Sequence, residues 1–155
     1  MGLKERFLGV VRYMLFERSG NKQTLDQLAD NLVKGGEGIQ ERISTKSDSE
    51  RNRDKLAHII GIERWGQSRL KVALGETFIH DEHDGYCPAV TASWSELRTA
   101  FDETRDNTVT IARQLAKEKF TPEKTVRHND FGDMSLHGWL HYLNFHANQE
   151  SKGIK

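Results

Sequence analysis

His146 and Glu150 stand four residues apart in the segment WLHYLNFHANQESKGIK. Side chains at that spacing on a helix point the same way, so one helix presents an imidazole and a carboxylate together, a pair able to ligate a divalent cation. Taking Trp139 as reference and about 100° per residue, both fall within about 20° of it, on the side that carries Leu136, Leu143, Ala147 and Ile154. A carboxylate in such a stripe is costly to bury unless it is paired or bound to metal. The plainer reading is an exposed Glu150 near the helix end beside a hydrogen-bonded core histidine. A further histidine, His58 in LAHIIGIERWGQSRL, lies at the edge of an apolar arc beside Ile62 and Trp65. If the two helices face each other, His58, His146 and Glu150 converge.

Other groups compete for attention. His137 and His141 form an H-x3-H pair, but both lie about 160–200° from Trp139 and are expected on the solvent side. The loop run His80-Asp81-Glu82-His83 could hold a cation, although charge-rich loops are usually solvated. Arg127-His128-Asn129-Asp130-Phe131 could approach the mouth of a pocket. Cys87, the single cysteine, has no local basic group to activate it and no partner for an intramolecular disulfide, which fits a reducing compartment.

Five helical stretches must position these residues, and no strand is expected. Residues 3–18 carry Leu3, Phe7, Val10 and Met14 at 4-3-4 spacing, the pattern of a buried or interface helix. Residues 24–44 carry Leu25, Leu28, Leu32, Ile39 and Ile43, with Gly35, Gly36 and Gly38 marking either close helix approach or a break. Residues 49–75 form the His58 helix and place Glu63 at the far margin of its apolar arc. A loop over 76–92 leads to a helix opened by Ser93 and Glu96, which fit a capping box. Its stripe includes Thr104 and Thr108, so part of the interior is expected to be polar. A second long loop, 118–134, precedes a last helix capped by Ser135.

The chain has 155 residues, enough for one core. Lys+Arg and Asp+Glu number 23 each, and no basic stripe appears, so nucleic-acid binding is not expected. The apolar run Phe7–Phe16 contains Arg12 and falls far short of the ~20 residues a membrane span needs. A cytoplasmic protein without a membrane partner is expected.

The run HIIGIERWGQSRL and the final GWLHYLNFH resemble the second and last helices of the DinB/YfiT-like proteins over roughly residues 24–155. That resemblance implies an all-α fold: a four-helix bundle, up-down-down-up, with long crossover loops, to which residues 1–23 add an N-terminal helix packing on the bundle. It implies a divalent metal (Zn, Ni or Fe) held by His58 and His146, with Glu150 where a second histidine of the last helix is usual. It also implies thiol-cofactor S-transfer or hydrolase chemistry on a small-molecule substrate, a low-molecular-weight thiol as co-substrate, and a homodimer. Beside these ligands, Glu63 and Tyr142 are candidates to supply a proton or orient ligands. The alternative is a bundle that has lost its metal and serves as a small-molecule or protein interaction module.

Overall fold

The computed structural model describes residues 2–155 and is mostly helical. Its elements are α1 (Leu3–Arg12), a π-helical turn (Tyr13–Glu17), α2 (Arg18–Gly20), α3 (Leu25–Ser44), α4 (Glu50–Val72), a 3-10 turn (His83–Tyr86), α5 (Trp94–Lys117), strands β1 (Thr125–His128) and β2 (Gly132–Ser135), and α6 (Leu136–Ser151). Local chemistry explains the starts. Thr24 accepts from the Gln27 amide and Ser93 from the Glu96 amide, each in a reciprocal capping box. Ser49 and Ser135 cap α4 and α6 in the same way from one side.

Named pairs fix the direction of the four long helices. Arg113 binds Asp26 and Asp30, Arg105 the Leu32 carbonyl, and Gln40 the Arg98 carbonyl, so α3 and α5 run antiparallel. Lys55 meets Glu150 and Gly66 abuts Leu143, so α4 and α6 are antiparallel too. Asn31 with Asn144 and Arg42 with Ser151 make α3 and α6 parallel. Helices α3 and α6 therefore run one way, and α4 and α5 the other.

The interior has two apolar clusters with a polar layer between them. One cluster gathers Ile39, Ile43, Leu56, Ile60, Leu97 and Phe101; the other is centred on Leu32, Trp65, Ile111, Trp139 and Leu143. Between them, on each helix, lie Gly36, Glu63 and Gln67, Thr104 to Thr108, and Asn144. Gly36 continues α3 without a break: a Cβ there would stand 2.9 Å from Arg105 Cγ, so its bareness makes room for the guanidinium arm.

Three sequence expectations need correction. A two-stranded antiparallel hairpin stands where no strand was expected, pairing Val126 with Met134 and His128 with Gly132. Four-residue strands are too short to show a period of two. The hairpin closes over the three residues 129–131 into Gly132 at φ +76°, a left-handed conformation that glycine adopts freely. His137 is buried, not solvent-facing, because the N-terminal segment covers that side of α6. Glu17 is turned inward to accept from the Ser135 amide at 2.8 Å, and Gly20 lies against the His137 carbonyl. Finally, the outer row of the N-terminal helix is uncovered: Leu3, Phe7, Val10 and Met14 are exposed, while Leu8 and Val11 are half-buried and Arg12 and Phe16 seat the segment on the body.

A methyl group at Gly20 would stand 2.7 Å from the His137 carbonyl oxygen, a backbone atom that cannot swing aside. Gly20→Ala should cost about 1–3 kcal/mol of stability in urea titration. An unchanged midpoint would show that this segment is not seated on α6.

Candidate functional site

Antiparallel packing of α4 on α6 brings His58 and His146, 88 residues apart in the chain, to a ring-centroid separation of 5.3 Å. A third imidazole, His83 of the 3-10 turn, stands 5.1 Å from His58. The turn comes this close because Gly61 leaves space: a Cβ there would collide with Cys87 Sγ and crowd the His83 carbonyl. Tyr142, one turn before His146 and buried, completes the row at 5.9 Å from it.

Burial governs the electrostatics. It lowers the pKa of His146 to about 4, helped by His58 and opposed by Glu150. It also lowers His58, with His83 acting in the same direction and Glu150 against. Both imidazoles are thus neutral near pH 7, the form that binds a cation or accepts a proton. The Tyr142 phenol is pushed up by burial and stays protonated. Glu150 is held low chiefly by the Lys55 ammonium, which donates to its carboxylate at 2.8 Å. The Cys87 thiol is raised by burial and by Asp84, so it is not a ready nucleophile.

The predicted set is therefore only partly assembled. His58, His146 and Tyr142 are adjacent. Glu150 reaches the same place but is half-exposed and paired with Lys55. Glu63 belongs to another network: its Oε1 accepts from Arg105 Nε at 2.7 Å and Thr108 Oγ1 at 2.8 Å, and its Oε2 from Arg105 Nη2 at 2.9 Å. With both oxygens engaged it is placed to hold the helices together, not to move protons at His146. The residue missed was Lys55, legible as the residue one turn before His58; His83 was named only within its own loop run, and its approach to His58 was signalled only by Gly61, one turn after His58.

His128 takes a different position from the one its loop-like sequence suggested. It is 4% exposed among Trp65, Trp139, Phe131 and Tyr142, with ring separations of 4.6–5.1 Å. Its Nδ1 accepts the Asp130 and Phe131 amides at 3.1 and 3.2 Å, which puts the proton on Nε2. That nitrogen has no hydrogen-bond partner among the described residues.

Two cavities flank α4. One of about 580 Å³ opens beside the histidines and is lined by Glu50, Arg51, Asp54, Lys55, His58 and Glu150. The other, about 430 Å³, lies further along and includes Arg64, Ser68, Arg69, Lys71, Glu76 and Tyr86. Among the described residues, no three His, Cys, Asp or Glu side chains are already gathered closely enough to hold a metal ion, and no helix is long and apolar enough to cross a membrane. Compared with protein-family models, with curated proteins and with solved structures, the chain gives no match.

Proposed function

We propose that this chain is a DinB-like four-helix-bundle protein that binds a divalent transition metal between α4 and α6 and acts as a transferase or hydrolase on a small molecule. The observation that carries the reading is the meeting of His58 and His146 as neutral imidazoles beside an open cavity. The up-down-down-up run of α3 to α6 supports the DinB-like part.

The donor set fits a metal in kind. His58 and His146 offer free nitrogen lone pairs, and a carboxylate would complete a His/His/Glu set suited to Zn, Ni or Fe. Glu150 must first leave Lys55, a pair about one-third exposed on each side. Breaking such a pair costs about 0–1 kcal/mol, well below what a ligand bond returns. A cation held there supplies Lewis acidity, favouring the deprotonated form of water or of a low-molecular-weight thiol at neutral pH. Around it, the Tyr142 phenol can donate a proton or hydrogen bond, and Lys55, once released, can orient an anionic group in the cavity.

Metal analysis of tag-free protein tests the reading. About one equivalent of a transition metal per chain is expected after reconstitution. His146→Ala should abolish binding, and His137→Ala should leave it intact. Less than about a tenth of an equivalent in the wild type, the level of adventitious binding, would refute it. The Lys55–Glu150 pair favours a second reading, a metal-free bundle that binds a small molecule or a protein partner over the same cavity. In that case chelators leave the melting temperature unchanged, because no ligand is removed from the native state.

A further inference from the structure

The run His80-Asp81-Glu82-His83 does not form a cation site of its own. Asp81 is taken by the Arg69 guanidinium at 3.3 Å and by the Tyr86 hydroxyl, which donates to it at 2.6 Å, while His80 and Glu82 are exposed. Of these four side chains only that of His83 meets the His58–His146 pair, half-buried and with its ring 5.1 Å from that of His58. The turn that carries it is held through its backbone. The His83 carbonyl accepts from the Cys87 thiol at 3.8 Å, and Gly61 leaves room for both. The imidazole is thus delivered to α4 without being spent on building the turn.

We infer that His83 is a third imidazole ligand of the ion held by His58 and His146, so that the crossover turn between α4 and α5 closes the metal site. The inference rests on the metal reading above and adds a ligand to it. At a metal–nitrogen distance of about 2.1 Å, two imidazoles on one tetrahedral ion have ring centres about 5 Å apart. The two ring contacts of His58, 5.1 Å to His83 and 5.3 Å to His146, have that spacing. Neither contact is a hydrogen bond, and no hydrogen bond perturbs the His58 or His146 ring, so nitrogen lone pairs stay available.

Closing the set requires the His83 ring to turn toward His146. A half-buried side chain on a four-residue turn can do so while α4 and α6 stay in place. His83 then makes three protein ligands without the Lys55–Glu150 pair having to open. The difference is chemical as well as geometric. Three neutral imidazoles leave the full charge of the cation on whatever water or thiol it binds, whereas a carboxylate ligand offsets part of it.

Zinc titration of the tag-free full chain, followed by proton–nitrogen NMR correlation of the imidazole rings, provides the test. At about one equivalent of Zn²⁺, one ring nitrogen each of His58, His146 and His83 should move to a metal-bound shift, while those of His80, His137 and His141 stay. His83→Ala and His83→Asn should each weaken zinc binding by more than about 100-fold, beyond the 10–100-fold that a merely supporting residue costs. Both should keep the far-UV circular dichroism of the wild type. The titration of the wild type needs no variant, so it stands even if a substitution disturbs the turn. Zinc that moves His58 and His146 but leaves His83 unmoved would overturn the inference and leave the metal reading intact. So would His83 variants that bind zinc within about threefold of the wild type. Zinc that moves none of the three would overturn both.

Discussion

Replacing Arg105 with methionine should destabilise the protein by about 3–5 kcal/mol, the usual cost of leaving one member of a buried ion pair alone. Arg105 is 3% exposed and Glu63 1%. The guanidinium grips both Glu63 oxygens, and its Nη1 also donates to the Leu32 carbonyl and Asn144 Oδ1 at 2.9 and 3.0 Å. One side chain of α5 thus ties α3, α4 and α6 together in the polar layer. Methionine fills much of the volume but leaves the Glu63 carboxylate, the Leu32 carbonyl and the Asn144 amide short of a donor. The double replacement Glu63→Leu with Arg105→Met should recover a good part of the loss, since an apolar pair of similar volume removes the stranded charge. Urea titrations of the two single variants and the double variant measure the coupling. A loss below about 1 kcal/mol for Arg105→Met would mean that the pair is solvated.

Acid should weaken the metal-free protein well before its carboxylates titrate. Burial among aromatic rings lowers the pKa of His128 to about 4, with Arg69 and His146 adding to the effect and Asp130 opposing it. Below its ordinary value near 6.5 the unfolded chain binds a proton that the folded chain refuses. Stability present above pH 6.5 is therefore lost progressively as pH falls through about 4, and His128 alone accounts for about 3 kcal/mol. His146 contributes in the same direction and window. Fluorescence of Trp65 and Trp139, which pack on the His128 ring, reports the transition directly. His128→Asn keeps an acceptor for the two turn amides but cannot titrate. It should be less stable at pH 7 and lose visibly less between pH 6.5 and 4. An acid profile as steep as that of the wild type would place the responsible group elsewhere.

What could be read from the sequence was what depends on neighbours along the chain. The capping box at Ser93, the cap at Ser135 and the apolar rows of α3, α5 and α6 are set by spacing within one or two turns, and they located those helices. Thr104 and Thr108 on an otherwise apolar row announced a polar interior, which is the layer around Glu63 and Arg105. The proximity of His58 to His146 was legible as well, given two amphipathic helices and a resemblance that paired them.

Which face of each helix meets which neighbour was decided only in three dimensions. An apolar row says that a face wants cover, and not what covers it. The row on α1 lies outward because Arg12 is anchored on the hairpin, and His137 lies inward because Glu17 and Gly20 dock over α6. Glu150 was read as a ligand candidate, but an ammonium 95 residues away at Lys55 reaches it first. His83 joins the cluster only because Gly61 lets a distant turn approach α4. Helix formation is a local free-energy choice written in periodicity and caps; the partner of a charge or an imidazole is a long-range one, settled when the whole core closes.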